Sequence, residues 1–585
     1  MKKRWLSVLA LSLMAVGCCA LGGCSLLGSP IKQSSQSENS AQAKETFYFE
    51  KISGKEEYCV MDIDTISSVD IVIPSTYNDL PVTTIGGYAF KNYSNIQSIT
   101  IPDSVTTIGE DAFYGCSGLT SVYITDMSAW CNIAFYDNEA NPLSCAKNLY
   151  LNDELVINLI IPDNVTTIGE RAFYNCDSIK SVTIPDSVIS IGDFAFNCCS
   201  NLWCVFITDM SAWCNISFGN SWANPLHYAR CLYLNDEYVT DIIIPDGVTA
   251  IRDFAFSSYE NLTSVEIPDS VTSIGEGAFE YCTNLASIDL PDSVISIGDD
   301  AFWGCSRLTS VVIPDSVTTI GSSAFGGCYN LVEVVNKSPH FTIRKGGFYD
   351  SIGYYALAVY NSGDTYTTKL SNDNGVIVYT DGNEKILVGY NGKETDLVIP
   401  NSITKINHHA FYSCDNLKSV VIGDSVTSIG DDAFGFCSSL TSVVIPDSVT
   451  TIGEYAFAVC GNLKSVVIPD SVTTIGDDAF WVCSSLTSVV IPDSVTTIGS
   501  SAFSYCRSLT SVVIPDSVTT IGDDAFEYCS SLKTVYYKGT ASDWSSISIN
   551  PSGNSYLKDA TRYYYSETEQ SGCWHYDENG EVAVW

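Results

Sequence analysis

Basic residues are scarce. The chain of 585 residues carries 28 Lys and Arg against 67 Asp and Glu. A surface so acidic repels nucleic acid and anionic lipid headgroups, which excludes both as ligands of the folded surface and keeps a secreted protein soluble. Histidine is scarcer still, and His227, His340, His408, His409 and His575 fall at no recurring place. G-x-S-x-G, H-E-x-x-H and a glycine-rich phosphate loop are all missing, so no nucleophile, catalytic metal or nucleotide site is indicated. No C-x-x-C pair supports a zinc site. The chain is therefore read as non-enzymatic, with no catalytic residue, metal ligand or cofactor assigned.

What is abundant is repetition. Residues 445–467 read IPDSVTTIGEYAFAVCGNLKSVV, and the Pro of this text recurs at 446, 469, 492 and 515, a step of 23. The same position holds Pro74, Pro102, Pro162, Pro185, Pro245, Pro268, Pro291, Pro314, Pro400 and, as a glycine, Gly423, which makes 14 units. A short fixed period means a solenoid. In each unit Leu440, Val443 and Ile445 have strand spacing, and Pro446-Asp447 marks a corner at which the Asp can bond to backbone two residues on. Gly453 allows a second bend, while Ala456, Phe457, Cys460 and Leu463 fill the coil. Arg252 and Asn407 stand in the Gly place of two units, so the bend is assigned without its dihedral. Stacked at about 4.8 Å, such units predict parallel strands along one side of a curved rod on the order of 65 Å long.

The consensus IPDSVTTIGDDAFxxCSSLTSVV closely resembles the BspA-like leucine-rich repeat family, also called leucine-rich repeat type 5, over residues 70–537 apart from three insertions. The fold class expected is a β-rich solenoid of ~23-residue coils with N- and C-terminal caps. By resemblance, the partner is a host matrix or serum protein, a mucosal glycoprotein or another microbe's surface.

In chain order, Lys2, Lys3 and Arg4 precede an apolar run over residues 5–21, and Leu21-Gly22-Gly23-Cys24 follows. Together they read as a lipoprotein signal peptide over 1–23, cleaved before Cys24, whose sulfur takes the lipid. The expected location is extracytoplasmic, anchored at the bacterial cell surface. Residues 24–44 form a polar tether and 45–73 a strand-rich cap. A solenoid over 74–335 carries two near-identical Trp-bearing insertions near 123–157 and 206–240, internal bulges built on TDMSAWCNI. Residues 336–397 form an inserted β island, 398–535 a second solenoid run and 536–585 a cap. Aligned on Trp544, that cap repeats the Trp module a third time.

Twelve of the 23 cysteines occupy one repeat position, and Tyr93 and Tyr259 take it in the other two units. A slot that accepts Cys or Tyr belongs to the core, so a ladder of mostly free, buried thiols is expected. Asp follows the corner Pro or Gly in 12 of 14 units; turn chemistry accounts for that file without a cation. Candidate binding residues are the outward strand positions Tyr123 and Phe206, with the module tryptophans Trp130, Trp213 and Trp222; the alternative for Trp130 and Trp213 is that each is its module's own core. Two other readings stay open: a self-associating envelope or biofilm component, and a carbohydrate-binding accessory using Trp130, Trp213, Trp222 and Trp303.

Overall fold

The computed structural model describes residues 47–63, 68–347 and 351–585; Cys24, the leader and the tether lie outside them. The described chain is a β-solenoid in which the regular coils contribute two short strands, except that residues 287–289 form none. One centres on the apolar Val of Ser-Val-x: Ser442–Val444 runs parallel to Ser419–Val421 and Ser465–Val467, with Val443 opposite Val420 and Val466. The other is the Thr-Ile pair, as where Thr451–Ile452 lies beside Thr474–Ile475. Because both files pair at a step of 23, each apolar residue meets its own equivalent. Phe457 accordingly stacks between Phe434 and Phe480 at 5.1 and 5.4 Å, with rings within 5° of parallel. Each such pair contributes about 0.5 to 1.5 kcal/mol beyond the area it buries.

The polar consensus residues tie coil to coil. At the corner, the Val449 N–H donates to the Pro446 carbonyl, and Ser448 Oγ donates to the Val426 carbonyl of the preceding coil at 2.7 Å. The side-chain bond at this corner comes from Ser448, where the sequence suggested Asp447. At the second bend, Asp431 accepts the Glu454 amide at 2.9 Å and Asp477 the Ser500 amide at 2.6 Å. The thiol ladder works the same way, for Cys460 Sγ donates to the Phe434 carbonyl at 3.1 Å and Cys483 Sγ to that of Phe457 at 3.2 Å. All described cysteines are free. Burial pushes the Cys460 thiol up to about 12, so it stays protonated and donating. Tyr93 and Tyr259 fill the slot where the preceding backbone is irregular, and their hydroxyls reach further, to the carbonyls of Ile63 and Val239.

Gly453 is glycine because of crowding. Its φ is not positive, yet a Cβ there would sit 2.7 Å from the Asp431 nitrogen and the Gly430 carbonyl carbon of the coil beneath. Arg252 and Asn407 stack instead on irregular backbone, donating their amides to Cys214 and Leu387. The left-handed positions are Tyr455 and Val459, with φ of 54° and 59°. Their amides donate to Asp477 and Trp481 of the next coil, bonds that offset the cost of that conformation.

The Trp modules are coils rather than bulges. Ala134–Phe135 continues the Thr-Ile file beside Thr107–Ile108, and Leu149–Leu151 continues the other file beside Ser121–Ile124. The helix Met127–Cys131, capped by Asp126, replaces the Pro corner. A hairpin, Tyr150 opposite Leu155, then ends the ladder, and Asn158–Ile160 starts a new sheet. The second module repeats this arrangement, ending with Tyr233 opposite Tyr238. In the third, Ser548–Ile549 and Thr561–Tyr565 extend both files past the last regular coil.

The 336–397 stretch is strand-bearing, and its strands join the ladders on either side. Ala358–Tyr360 ends one ladder, while Leu370–Asp373, Val376–Asp381 and Glu384–Tyr390 form an antiparallel meander whose last strand begins the next. Val376, Leu387 and Tyr390 belong to the second apolar core, which runs on to Leu557; the first spans Val60 to Ala356. Across the junction, Arg307 Nη2 lies 3.4 Å from the Ser413 carbonyl, and the Tyr329 ring stacks on His409 at 4.1 Å.

Candidate binding surface

The residue after the buried Val of each long strand points away from the core. In the second ladder this file is Val398, Val421, Val444, Val467 and Val490, all exposed, Val467 to 75%. At its C-terminal end the file is closed: Val513 is buried, and Trp574 packs beside Tyr536 with Nε1 donating to the Tyr537 carbonyl at 3.0 Å. In the first half the same file holds Tyr123, Tyr150, Ile160, Thr183, Phe206, Tyr233 and Ile243.

Tyr123 and Phe206 thus lie on one face, each half-buried by a stacked neighbour. The Tyr123 ring is 4.6 Å from Tyr150, and Phe206 is 4.8 Å from Tyr233. Sequence reasoning missed Tyr150 and Tyr233, although both modules spell LYLNDE at the same distance from their Trp. It also missed Ile160 and Ile243, which are both exposed and open the sheets that follow the two hairpins.

Trp130 and Trp213 are each only 1% exposed. Their indoles donate to the Ala172 and Ala255 carbonyls at 2.8 and 2.9 Å, bridging each module to the coil above. The fold takes them up in its core, where each ring lies edge-on to a module phenylalanine, Phe135 or Phe218, at 5.5 Å. Trp222 is 41% exposed but stacks on Phe194, at the bend after the Thr-Ile strand rather than on the Tyr123 face. Trp303 is half-buried over Gly326.

Titratable groups are displaced elsewhere. At the junction, burial lowers His409 to about 3, and burial together with the Asp431 charge raises Asp432 to about 7. His409 Nε2 lies 3.5 Å from Asp432 Oδ2. Asp111, Asp137 and Glu139 approach one another, but Lys91 pairs with Asp111 at 2.8 Å and Asp137 accepts the Asp111 and Ala140 amides. Asp111 and Asp137 are thereby engaged by the protein itself.

The family model described as BspA type leucine rich repeat region (6 copies) matches residues 58–151, 144–221, 229–354, 390–510 and 450–551. None of the curated proteins matches the chain. Among solved structures, a leucine rich cell surface protein from Faecalibacterium prausnitzii is 27% identical over 88% of this chain and 98% of its own, with a TM-score of 0.29. A leucine-rich repeat protein from Bacteroides ovatus is 22% identical over 89% and 98%, with a TM-score of 0.27. One from Eubacterium ventriosum is 19% identical over 73% and 90%, with a TM-score of 0.26.

Proposed function

Because the chain belongs to the BspA-type leucine-rich repeat family, we propose that it is a non-enzymatic, lipid-anchored cell-surface protein that docks a protein or glycoprotein along its outward strand face. The observation that carries this reading is the file of Val398, Val421, Val444, Val467 and Val490. Exposed apolar side chains at equivalent positions of successive coils offer area to an extended partner, and isolated surface valines would not. The stacked pairs Tyr123–Tyr150 and Phe206–Tyr233 extend the same face with rigid aromatic edges of the kind that anchor interfaces. The carbohydrate reading loses Trp130 and Trp213, which are interior.

The test is capture by residues 45–585 on a panel of matrix and serum proteins, mucosal glycoproteins and free glycans. Capture of a protein or glycoprotein supports the proposal. Binding to free glycans alone, or only to a second copy of the chain, overturns it.

A further inference from the structure

Two cysteines stand outside the buried ladder and face each other. Cys204 begins the strand Cys204–Ile207 and Cys231 begins Cys231–Leu234; the strands are parallel, with Cys204 directly opposite Cys231. Both are half-buried, whereas the ladder thiols are fully enclosed. They sit one residue from the inward Val205 and Leu232, so they share the outward face with the Phe206 and Tyr233 rings. Paired neighbours in a sheet lie about 4.8 Å apart, inside the Cα separation of about 4.4 to 6.8 Å that a disulfide spans.

The first module supplies an internal control. Residues 83 positions earlier, the offset between Trp130 and Trp213, are Ser121 and Asn148. Most regular coils have Ser at this strand position, as at Ser442, Ser465 and Ser488. The second module therefore carries cysteine at both members of one facing pair, where its near-copy carries cysteine at neither. A packing role would not call for both, since the position is not core.

We propose that Cys204 and Cys231 form a dithiol site on the outward face that is converted to a cross-strand disulfide by exchange with a disulfide-containing donor. One thiolate attacks the donor's S–S bond, forming a mixed disulfide and expelling one donor thiolate. The second cysteine then attacks the protein sulfur of the mixed disulfide, closing the Cys204–Cys231 bond and expelling the other donor thiol. Two electrons pass to the donor and two protons leave the pair. The bond links the Trp module to the coil before it, beside Arg230, whose guanidinium lies 5.3 Å from the Trp203 ring. Burial and the neighbouring thiol hold Cys204 up at about 11, so the exchange accelerates as pH rises.

The test treats the full-length chain with oxidised glutathione, blocks remaining thiols with an alkylating agent after denaturation, and maps linked peptides by mass spectrometry. The expected result is a Cys204–Cys231 crosslink, with the ladder cysteines recovered alkylated. Cys204→Ser and Cys231→Asn install the residues of the first module; each is expected to leave the remaining cysteine as a stable glutathione mixed disulfide. Recovery of both wild-type cysteines in alkylated form while the denatured chain oxidises readily would overturn the proposal. So would glutathione retained on both without a crosslink.

Discussion

At the scale of single residues, the repeat separates two demands that a glycine can answer. Gly453 is set by the approach of the Gly430–Asp431 backbone, so Gly453→Ala must push the stacked coils apart and is expected to cost ~1 to 3 kcal/mol. Gly461 has only Ser484 Oγ near it, at 3.5 Å, and Gly461→Ala is expected to stay within about 0.5 kcal/mol of wild type. Urea unfolding of the two variants compares them directly; equal costs would contradict the crowding account. That distinction was not legible in the sequence, because a conserved spacing of glycine reports the need for a missing Cβ and not whether a torsion or a neighbour imposes it. The left-handed residues were hidden for a related reason. Tyr455 and Val459 have no preference for positive φ, and only the bonds to the next coil hold them there.

At the scale of elements, the Phe ladder makes each coil depend on its neighbours. Phe457→Ala is expected to cost about 3 to 5 kcal/mol and to raise hydrogen exchange most in the adjoining coils, around Phe434 and Phe480. A uniform rise would contradict a nearest-neighbour stack. Strands and stacking order were legible because alternation and a fixed 23-step survive in nearly every unit. The Trp modules were read as bulges because their strands lie 27 residues apart, Val122 to Leu149 and Val205 to Leu232, and pairing rather than period reveals them as coils.

The junction between the two cores carries its own expectation. Unfolded, His409 binds a proton below about 6.5, but folded only near 3, so alone it would lower stability as pH falls from 6.5. Asp432 does the reverse: the folded chain binds its proton from about 7 downward and the unfolded chain only below 3.8, so stability rises on acidification. Between roughly pH 4 and 6.5 the two slopes cancel. Relative to wild type, Asp432→Asn should therefore lose Tm from pH 6.5 to 4.5, and His409→Gln should gain it. Parallel profiles for all three proteins would show that the two groups do not titrate as described.

At the scale of the whole molecule, the polar consensus is spent on joining coils, leaving the outward face of the strand ladder free to vary. Ser, Thr and Asp bond to the coil beneath, Phe and Cys fill the interior, and the outward file changes from Tyr and Phe to Ile, Thr, Glu and Val along the chain, as do the residues flanking each Ala-Phe pair. That face was half legible: Tyr123 and Phe206 were visible by position, while their stacking partners needed the register. Anchoring is tested separately. Cys24→Ala should leave uncleaved precursor that takes up no labelled fatty acid, and labelling equal to wild type would remove the anchor. The most direct measurement is the affinity of residues 45–585 for a captured protein or glycoprotein after Val421→Ser, Val444→Ser and Val467→Ser are combined, beside a control combining Ile189→Ser and Ile295→Ser at exposed sites next to the Thr-Ile strands. The strand-face variant is expected to weaken Kd by about tenfold or more, or ~1.4 kcal/mol, with the control unchanged; an unaltered strand-face variant and a weakened control would contradict the account.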